Sequence, residues 1–313
     1  MGLKKYLKDY IYNSQFGVAF YQCLREYYIR FRHLLFSDEY LITRAFKKNF
    51  GYELDLSNPQ TMNEKIQWLK LYDRKDFYTQ FADKYAVRSF FKEHFGEKYL
   101  IPLIFSTSNW NDINSKNIVY FPCIIKPNHS SGDFVILRDK ENINWKELRF
   151  ICKTWMMKDY YASSLEWPYK NIKRMIIIEK LLQTAQGKIP NDYKLHYING
   201  NLEFVYVSVD REGENKRNIY DAEWNPLYFS WVQKYKNPEN IRGREISAPL
   251  TFNKMKELGK YISKYFKYVR VDFYDVEGEL FFGEIILYHG GGFDVFTPSE
   301  YDLFYGKKLG DVT

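Results

Sequence analysis

Apolar residues recur three and four positions apart in the first part of the chain, then alternate or run together beyond residue 100. Leu3, Tyr6, Leu7, Tyr10 and Ile11, then Phe20, Cys23, Leu24, Tyr27 and Tyr28, have helical spacing. Thr61-Met-Asn-Glu64 is a capping box that opens a helix through Lys65, Trp68, Leu69 and Leu71. A further helix is expected from Phe77 to Phe95, closed by Gly96. Strands follow at Tyr99–Phe105, Ile118–Lys126, Phe134–Leu137 and Met175–Leu181, with a helix at Trp145–Asp159. Between Tyr193 and Val207, Asn199-Gly200 marks a hairpin with a two-residue turn. Residues 211–250 are charged and turn-rich and predict a long surface loop, and Phe252–Phe266 returns to helical spacing. Helices followed by mostly antiparallel strands give an α+β chain, without the regular βαβ alternation of a doubly wound fold.

The last strong pattern is Val269-Arg270-Val271-Asp272-Phe273-Tyr274, then Gly278, then Glu279 to Ile286. It reads as a hairpin with Arg-x-Asp on one arm and Gly-Glu on the other. A three-residue loop centred on Gly278 puts Asp272 opposite Glu284, because the two numbers are symmetric about 278. Directly opposed residues share a face, with Cβ atoms about 4.5–5.5 Å apart. Two carboxylates that close repel unless a cation lies between them or one is protonated. A hard divalent ion carrying nucleotide phosphates is one solution. A two-residue Glu-Gly turn would instead set them on opposite faces, and two solvated strand carboxylates are the plain alternative.

With 313 residues, 45% of them hydrophobic, the chain can bury a large core, and 29 Tyr and 25 Phe make that core aromatic. No apolar run approaches the roughly 20 residues that span a bilayer. The basic start MGLKKYLKDY lacks the apolar core of a signal peptide, and Tyr6 stands where a myristoylation motif has Ser or Thr. Cys23, Cys123 and Cys152 are odd in number and far apart, which argues against disulfides and zinc. A cytoplasmic protein is expected. The net charge of +7 is uneven, since residues 1–36 carry Lys4, Lys5, Lys8, Arg25, Arg30 and Arg32 against Asp9 and Glu26. Such a basic, aromatic amphipathic stretch either packs on the body or lies peripherally on the inner face of the membrane. No recognised RNA-binding motif accompanies the charge, so nucleic acid is not an expected partner.

Four further groupings carry chemistry. Lys126 ends an apolar strand before the small, hydroxyl-rich turn Ser130-Ser131-Gly132, whose backbone N–H groups suit phosphate oxygens. Glu179 and Lys180 end the strand Ile176–Ile178, where main-chain groups and a carboxylate can meet a purine edge. Asp192 and Lys194 lie two apart on one strand face. Arg211 and Arg217 follow the Asn199-Gly200 hairpin. Basic groups suit a polyphosphate and the two late carboxylates suit its metal, so the sum is a nucleoside triphosphate site on antiparallel sheets.

The chain resembles the ATP-grasp superfamily, and within it the TupA-like branch associated with bacterial cell-surface polysaccharide synthesis. The likeness runs from about Tyr40 to Gly310. It is carried by Asn63-Glu-Lys-Ile-Gln-Trp-Leu-Lys-Leu-Tyr72, Ala82-Asp-Lys-Tyr-Ala-Val-Arg88, Gly96-Glu-Lys-Tyr-Leu-Ile-Pro102, Lys126-Pro-Asn-His129, Asp192-Tyr-Lys194 and Arg270-Val-Asp272. The resemblance implies two antiparallel-sheet subdomains clasping the nucleotide after N-terminal helices. Its expected divisions are an N-terminal helical region 1–75, a segment 76–120 preceding the ATP-grasp unit, a small lid-and-hinge subdomain 121–195, and a C-terminal subdomain 196–313 with the metal site.

The resemblance also implies roles. Lys84 and Lys126 would contact ATP phosphates, with Ser130, Ser131 and Gly132 as the loop closing over them. Glu179 and Lys180 would sit beside adenine, Asp192 beside ribose, and Lys194 near the terminal phosphate. Arg270 would steady transition-state charge, and Asp272 and Glu284 would hold magnesium. Position 286 is Ile where the superfamily often has a metal-binding Asn, which leaves His289 or Asp294 as substitutes. Gly290-Gly291-Gly292 either admits a substrate closely or only turns the chain.

The function implied is an ATP-dependent carboxylate–amine ligase using ATP and Mg2+. Its acceptor would be a carbohydrate or uronic acid, its second substrate an amine or amino acid, and Arg211 and Arg217 would orient the acceptor. A sugar kinase, a glycosyltransferase and a non-catalytic nucleotide-binding scaffold are the alternatives.

Overall fold

Two antiparallel sheets meet across a cleft, and helices hold them there. In this computed structural model, which describes residues 15–234 and 241–313, the chain begins with α1 (Gln15–Leu35) and α2 (Asp38–Phe50). The helical spacing expected at Leu3–Ile11 lies outside the described residues. Then come α3 (Met62–Tyr72), α4 (Tyr78–Ala82), α5 (Val87–Phe95), β1 (Leu103–Thr107), β2 (Cys123–Pro127), β3 (Val135–Leu137), α6 (Trp145–Met157), α7 (Tyr160–Ser164) and β4 (Ile176–Lys180). The second half runs β5 (Asp192–Ile198), β6 (Asn201–Val209), β7 (Lys216–Tyr220), β8 (Pro226–Leu227), β9 (Ser230–Val232), α8 (Phe252–Ser263), β10 (Tyr268–Val276), β11 (Glu279–Ile286), β12 (Val295–Thr297) and α9 (Glu300–Leu309).

Local chemistry explains most of these boundaries. Thr61 caps α3 through the expected capping box, accepting from the Glu64 N–H while the Glu64 carboxylate accepts from the Thr61 N–H. The α3 helix is buried on nearly all sides and is tied to the far end of the chain. Asn63 donates to Asp302 from its backbone and its side chain, and Lys65 donates to the Gly306 and Gly310 carbonyls at 2.8 Å each.

The helix expected over Phe77–Phe95 is two helices. Asp83 breaks it, because its Oδ1 accepts from the Tyr85 and Ala86 N–H groups at 2.8 and 3.2 Å and from Asn128 Nδ2 at 2.8 Å. A local side-chain acceptor competes with helical bonding in this way. The apolar period continues unchanged through the break, so spacing does not reveal it.

The small sheet has the order β1-β4-β2-β3, and α6 covers it, burying Ile125, Ile176 and Ile178 with Leu148, Cys152 and Trp155. The large sheet has the order β11-β10-β5-β6-β7-β8, and β9 pairs separately with β12. Strand pairing shifts the boundaries expected from the sequence. β1 lies within 76–120 yet belongs to the small sheet through β4, and β5 crosses position 195 yet belongs wholly to the large one. The loop expected over 211–250 contains β7, β8 and β9, strands too short for alternation to stand out.

Along the large sheet, Val205, Val207, Val269, Val271 and Phe273 share one core with Met255, Leu258 and Ile262 of α8. Alternation therefore turns Asp192, Lys194, Arg270 and Asp272 to the other face.

His129, just past β2, is buried with its ring nitrogens 3.2 Å from Asn128 Oδ1 and 3.1 Å from the Trp155 carbonyl. Burial pushes its pKa down to about 4, although the Trp155 carbonyl favours the charged ring. A neutral ring in the fold that protonates near 6.5 when unfolded gives stability present above that pH. It is lost as pH falls toward 4, on the order of 3 kcal/mol in all. In urea unfolding between pH 7.5 and 5, His129→Gln is expected to flatten the acid limb by up to about 1.4 kcal/mol per pH unit. An unchanged slope would contradict the buried neutral ring.

Candidate functional site

The late hairpin positions the acids. Val276 pairs with Glu279, so the turn holds only Glu277 and Gly278, at φ of 55° and 93°. This is the two-residue turn that would set Asp272 against Gly283, not the three-residue loop expected from symmetry about Gly278. Asp272 nevertheless pairs with Glu284, because a β-bulge intervenes: Phe273 faces Phe282, and Gly283 is the extra residue. A Cβ at Gly283 would stand 3.1 Å from both the Asp272 carbonyl oxygen and Tyr274 Cε2, so a side chain would crowd the bulge.

The opposed carboxylates have their cations already, and all are supplied by the chain. Arg270 grips Asp272 with two donors, Nε to Oδ1 and Nη2 to Oδ2, both at 2.7 Å, and Nη2 lies 3.4 Å from Glu284 Oε1. Lys194 donates to Asp272 Oδ2 at 2.9 Å and also to Asp192. From the opposite side Lys84 lies 3.5 Å from Glu284 Oε2 and donates to the Ser130 carbonyl at 2.6 Å. Burial works to raise the Glu284 carboxyl, but Lys84 and Arg270 outweigh that and hold it below the usual carboxylate range. Asp272 is thus saturated and buried, whereas Glu284 keeps 27% of its side chain exposed and has only long contacts.

His289 and Asp294 do not replace the missing ligand at Ile286. His289 Nδ1 accepts from Arg270 at 2.9 Å, and its Nε2 lies 3.4 Å from Asp294 Oδ2 and from the Trp231 carbonyl, all away from the cleft. Burial and the Arg270 charge keep that ring neutral. The glycine run turns under α3: Gln67 and Lys70 donate to the Gly291 carbonyl, and a Cβ at Gly292 would come within 2.5 Å of the Gln67 amide.

The small sheet supplies the opposite wall. Lys126 on β2 sits 2.7 Å from Glu179 Oε2 on β4, an ion-pair contact outside hydrogen-bond geometry, and Arg88 donates to Oε1 at 2.9 Å. Lys84 owes its place to the helix break, since its N–H donates to the Asn128 carbonyl at 3.2 Å while the Asn128 side chain donates to Asp83. Ser130 Oγ donates to Asp133, which pairs with Lys158, so the turn is anchored at its base while Ser131, Gly132 and Phe134 remain exposed.

Between the walls is a cavity of about 620 Å³. Lys84, Lys126, Ser130, Ser131, Gly132, Glu179, Lys180, Asp192, Arg211 and Glu284 all line it. Lys194, Arg270 and Asp272 stand one layer behind, reached through Asp192 and Glu284. Arg217 is not part of this cavity; its guanidinium donates to Tyr206 Oη at 3.1 Å and borders a separate hollow of about 330 Å³. A larger cleft of about 940 Å³ beyond Arg88 contains none of the expected residues.

The cavity has an apolar middle, from Ile124, Ile136, Leu181 and Leu182, and a buried carboxylate oxygen without a partner, Asp192 Oδ1, whereas Glu179 Oε2 has the Lys126 ion pair. Buried acceptors left open call for donors from a ligand. Among the described residues no three His, Cys, Asp or Glu side chains gather to hold a metal ion. The donors present fit a magnesium ion that arrives with phosphate oxygens and takes one or two carboxylates from the protein. Sequence reading gave no role to Arg88, Asp83, Asn128 or Tyr274. Arg88 had a signal, four residues beyond Lys84, while the others act through tertiary contacts.

No curated protein matches this chain. Among solved structures it is similar to a D-alanine–D-alanine ligase from Bacillus anthracis complexed with ATP, at 15% identity and a TM-score of 0.39 over 66% of this chain and 54% of that one. The corresponding ligase from Helicobacter pylori gives 17%, 0.40, 79% and 68%. The ATP-grasp ligase PsnB, complexed with a minimal precursor, Mg and ADP, gives 13%, 0.38, 72% and 58%. This chain therefore spans about half the length of the first of these ligases. Residues 64–310 match the family model described as TupA-like ATPgrasp, and the chain belongs to that family.

Proposed function

We propose that this chain is an ATP-dependent carboxylate–amine ligase that forms an amide on a cell-surface polysaccharide. The terminal phosphoryl group of ATP passes to an acceptor carboxylate oxygen, giving ADP and an acyl phosphate. An amine nitrogen then attacks the acyl carbon and loses a proton, while phosphate leaves with the electrons of the C–O bond. The observation carrying this reading is the cavity itself, with an unpartnered buried acceptor on Asp192, three lysines on the small-sheet side and Arg211 and Glu284 opposite them.

In this reading Glu179 and the Lys180 backbone take the adenine edge and Asp192 the ribose. Lys84 and Lys126 take phosphate oxygens beneath the Ser130–Gly132 turn. Lys194 and Arg270, one layer back, add positive potential where charge spreads on the transferring group. Magnesium would be held by Glu284, and by Asp272 once Lys194 releases it, and would neutralise the triphosphate. Arg211 orients the reacting carboxylate. Arg217 stands in the same cross-strand row as Asp192, two strands away through Ser208, or about 10 Å by strand spacing. That separation suits an acceptor longer than one sugar. A cytoplasmic location, peripheral to the inner face of the membrane, belongs to the same proposal.

Lys126→Ala is expected to abolish the thermal stabilisation by Mg-ATP, which for wild type is worth about 2.7 kcal/mol at a hundred times Kd. Undiminished stabilisation would remove the lysine from the site. Arg270→Met should destabilise the fold by about 3–5 kcal/mol in urea, because it strands buried Asp272, and Asp272→Asn in the same chain should restore part of the loss. Equal stability of Arg270→Met and wild type would contradict the clamp. ADP should appear, with free phosphate, only when a uronic-acid glycan and an amine are both supplied. Phosphate retained on the sugar would identify a kinase instead, and no ADP with any acceptor would leave a nucleotide-binding scaffold.

A further inference from the structure

An amphipathic helix on a globular protein ordinarily turns its apolar stripe to the core and its charges to water. The α1 helix does the reverse. Its inward side holds Glu26 and Ile29, both buried, and fastens by polar contacts: Glu26 Oε2 accepts from the Asp159 N–H at 2.9 Å, and Arg32 donates to the Ala162 carbonyl at 3.4 Å. His33 Nε2 lies 2.7 Å from Asp38 Oδ1 on the same side. Outward point Leu24, Tyr27, Tyr28, Phe31, Leu34 and Leu35, each between 50% and 83% exposed. At 3.6 residues per turn these six cover an arc of about 120°.

Charge selects the occupant of this stripe. Arg30 borders one edge of the arc and Arg25, paired with Glu26 at 3.1 Å, borders the other, while Arg32 beside it is held by the Ala162 carbonyl and Glu26, the helix's one acidic residue, faces inward. We infer that α1 lies on an anionic lipid bilayer, its aromatic and leucine stripe in the headgroup boundary and Arg30 and Arg25 on lipid phosphates. Arginine stems and tyrosine rings suit that boundary, with an apolar body and a polar tip. A second copy of this helix would set the same arginine rims against each other, whereas anionic headgroups pair them. No described helix is long and apolar enough to cross a membrane, so the contact is a surface one. The inference rests on the proposed function only for the side of the membrane it meets; the stripe itself rests on exposure and charge.

The test is sedimentation of the full chain with vesicles of phosphatidylcholine alone or with about one third phosphatidylglycerol. Binding is expected to the anionic vesicles, to be about tenfold weaker on neutral ones, and to fall as salt screens the arginines. The variant Tyr27→Glu, Phe31→Glu, Leu34→Glu should lose vesicle binding about tenfold or more while keeping wild-type circular dichroism and Mg-ATP stabilisation. Failure of the wild type to bind anionic vesicles, or undiminished binding by the variant, overturns the inference. So does light scattering that shows a dimer which the variant dissociates. Vesicle binding without Mg-ATP stabilisation would defeat the proposed reaction and leave the lipid surface standing.

Discussion

Asp272 and Glu284 face each other across a hairpin, and the rest of the site is arranged around the repulsion this creates. Like charges at that spacing persist only when compensated. Compensation comes from three directions: Arg270 on the same strand, Lys194 on the neighbouring strand and Lys84 from beyond the cleft. The first two hold the acids to their own sheet. Lys84 does something different, because it also donates to the Ser130 carbonyl and so links the acidic pair to the turn of the small-sheet side. One ammonium group therefore bridges the walls, and its position depends on Asp83 having broken a helix.

What the sequence makes legible follows from how local each device is. The Thr61 capping box and the Asn199-Gly200 hairpin, with φ of 50° and 80° at its turn, are complete within a few residues and read directly. The helix break at Asp83 is made by a local side-chain acceptor and reinforced by Asn128, 45 residues away, and apolar spacing passes over both. The facing of Asp272 and Glu284 is legible only by accident of arithmetic. The two-residue turn and the single-residue bulge shift the register in opposite senses relative to a three-residue loop, and the same pairing results. Gly283 is the residue that marks the difference, and without the partner strand it looks like any strand glycine. Arg88, Tyr274 and the one-layer retreat of Arg270 and Lys194 are facts of packing, absent from spacing altogether.

The site is also nearly closed in charge. Lys126 and Arg88 answer Glu179, Lys194 answers Asp192 and Asp272, and Arg270 answers Asp272. Under the proposed function a polyphosphate does not enter an empty basic pocket; it competes with carboxylates for lysines already engaged. Binding is then an exchange of ion pairs, in which a lysine moves from carboxylate to phosphate and a magnesium ion takes the carboxylate it leaves. Such an exchange keeps the number of unpaired buried charges small at each stage, and that number governs the energetic penalty in a low-dielectric cleft.

The outward stripe of α1 bears on this exchange by contiguity. Glu26 holds the Asp159 N–H, the adjacent Lys158 pairs with Asp133, Asp133 accepts from Ser130, and the Ser130 carbonyl accepts from Lys84 beside Glu284. Contacts thus run unbroken from the helix proposed to meet lipid to the acids proposed to meet magnesium. Contiguity alone is not coupling, which requires an element with two arrangements that both ends bias. The segment suited to that role is the turn Ser130–Asp133. Its base is anchored by Lys84 and Lys158, its tip is exposed over the cavity, and Gly132 at φ 83° gives it a backbone that side chains resist. Nucleotide would engage its tip and the α1 side its base, through Lys158 and Asp133.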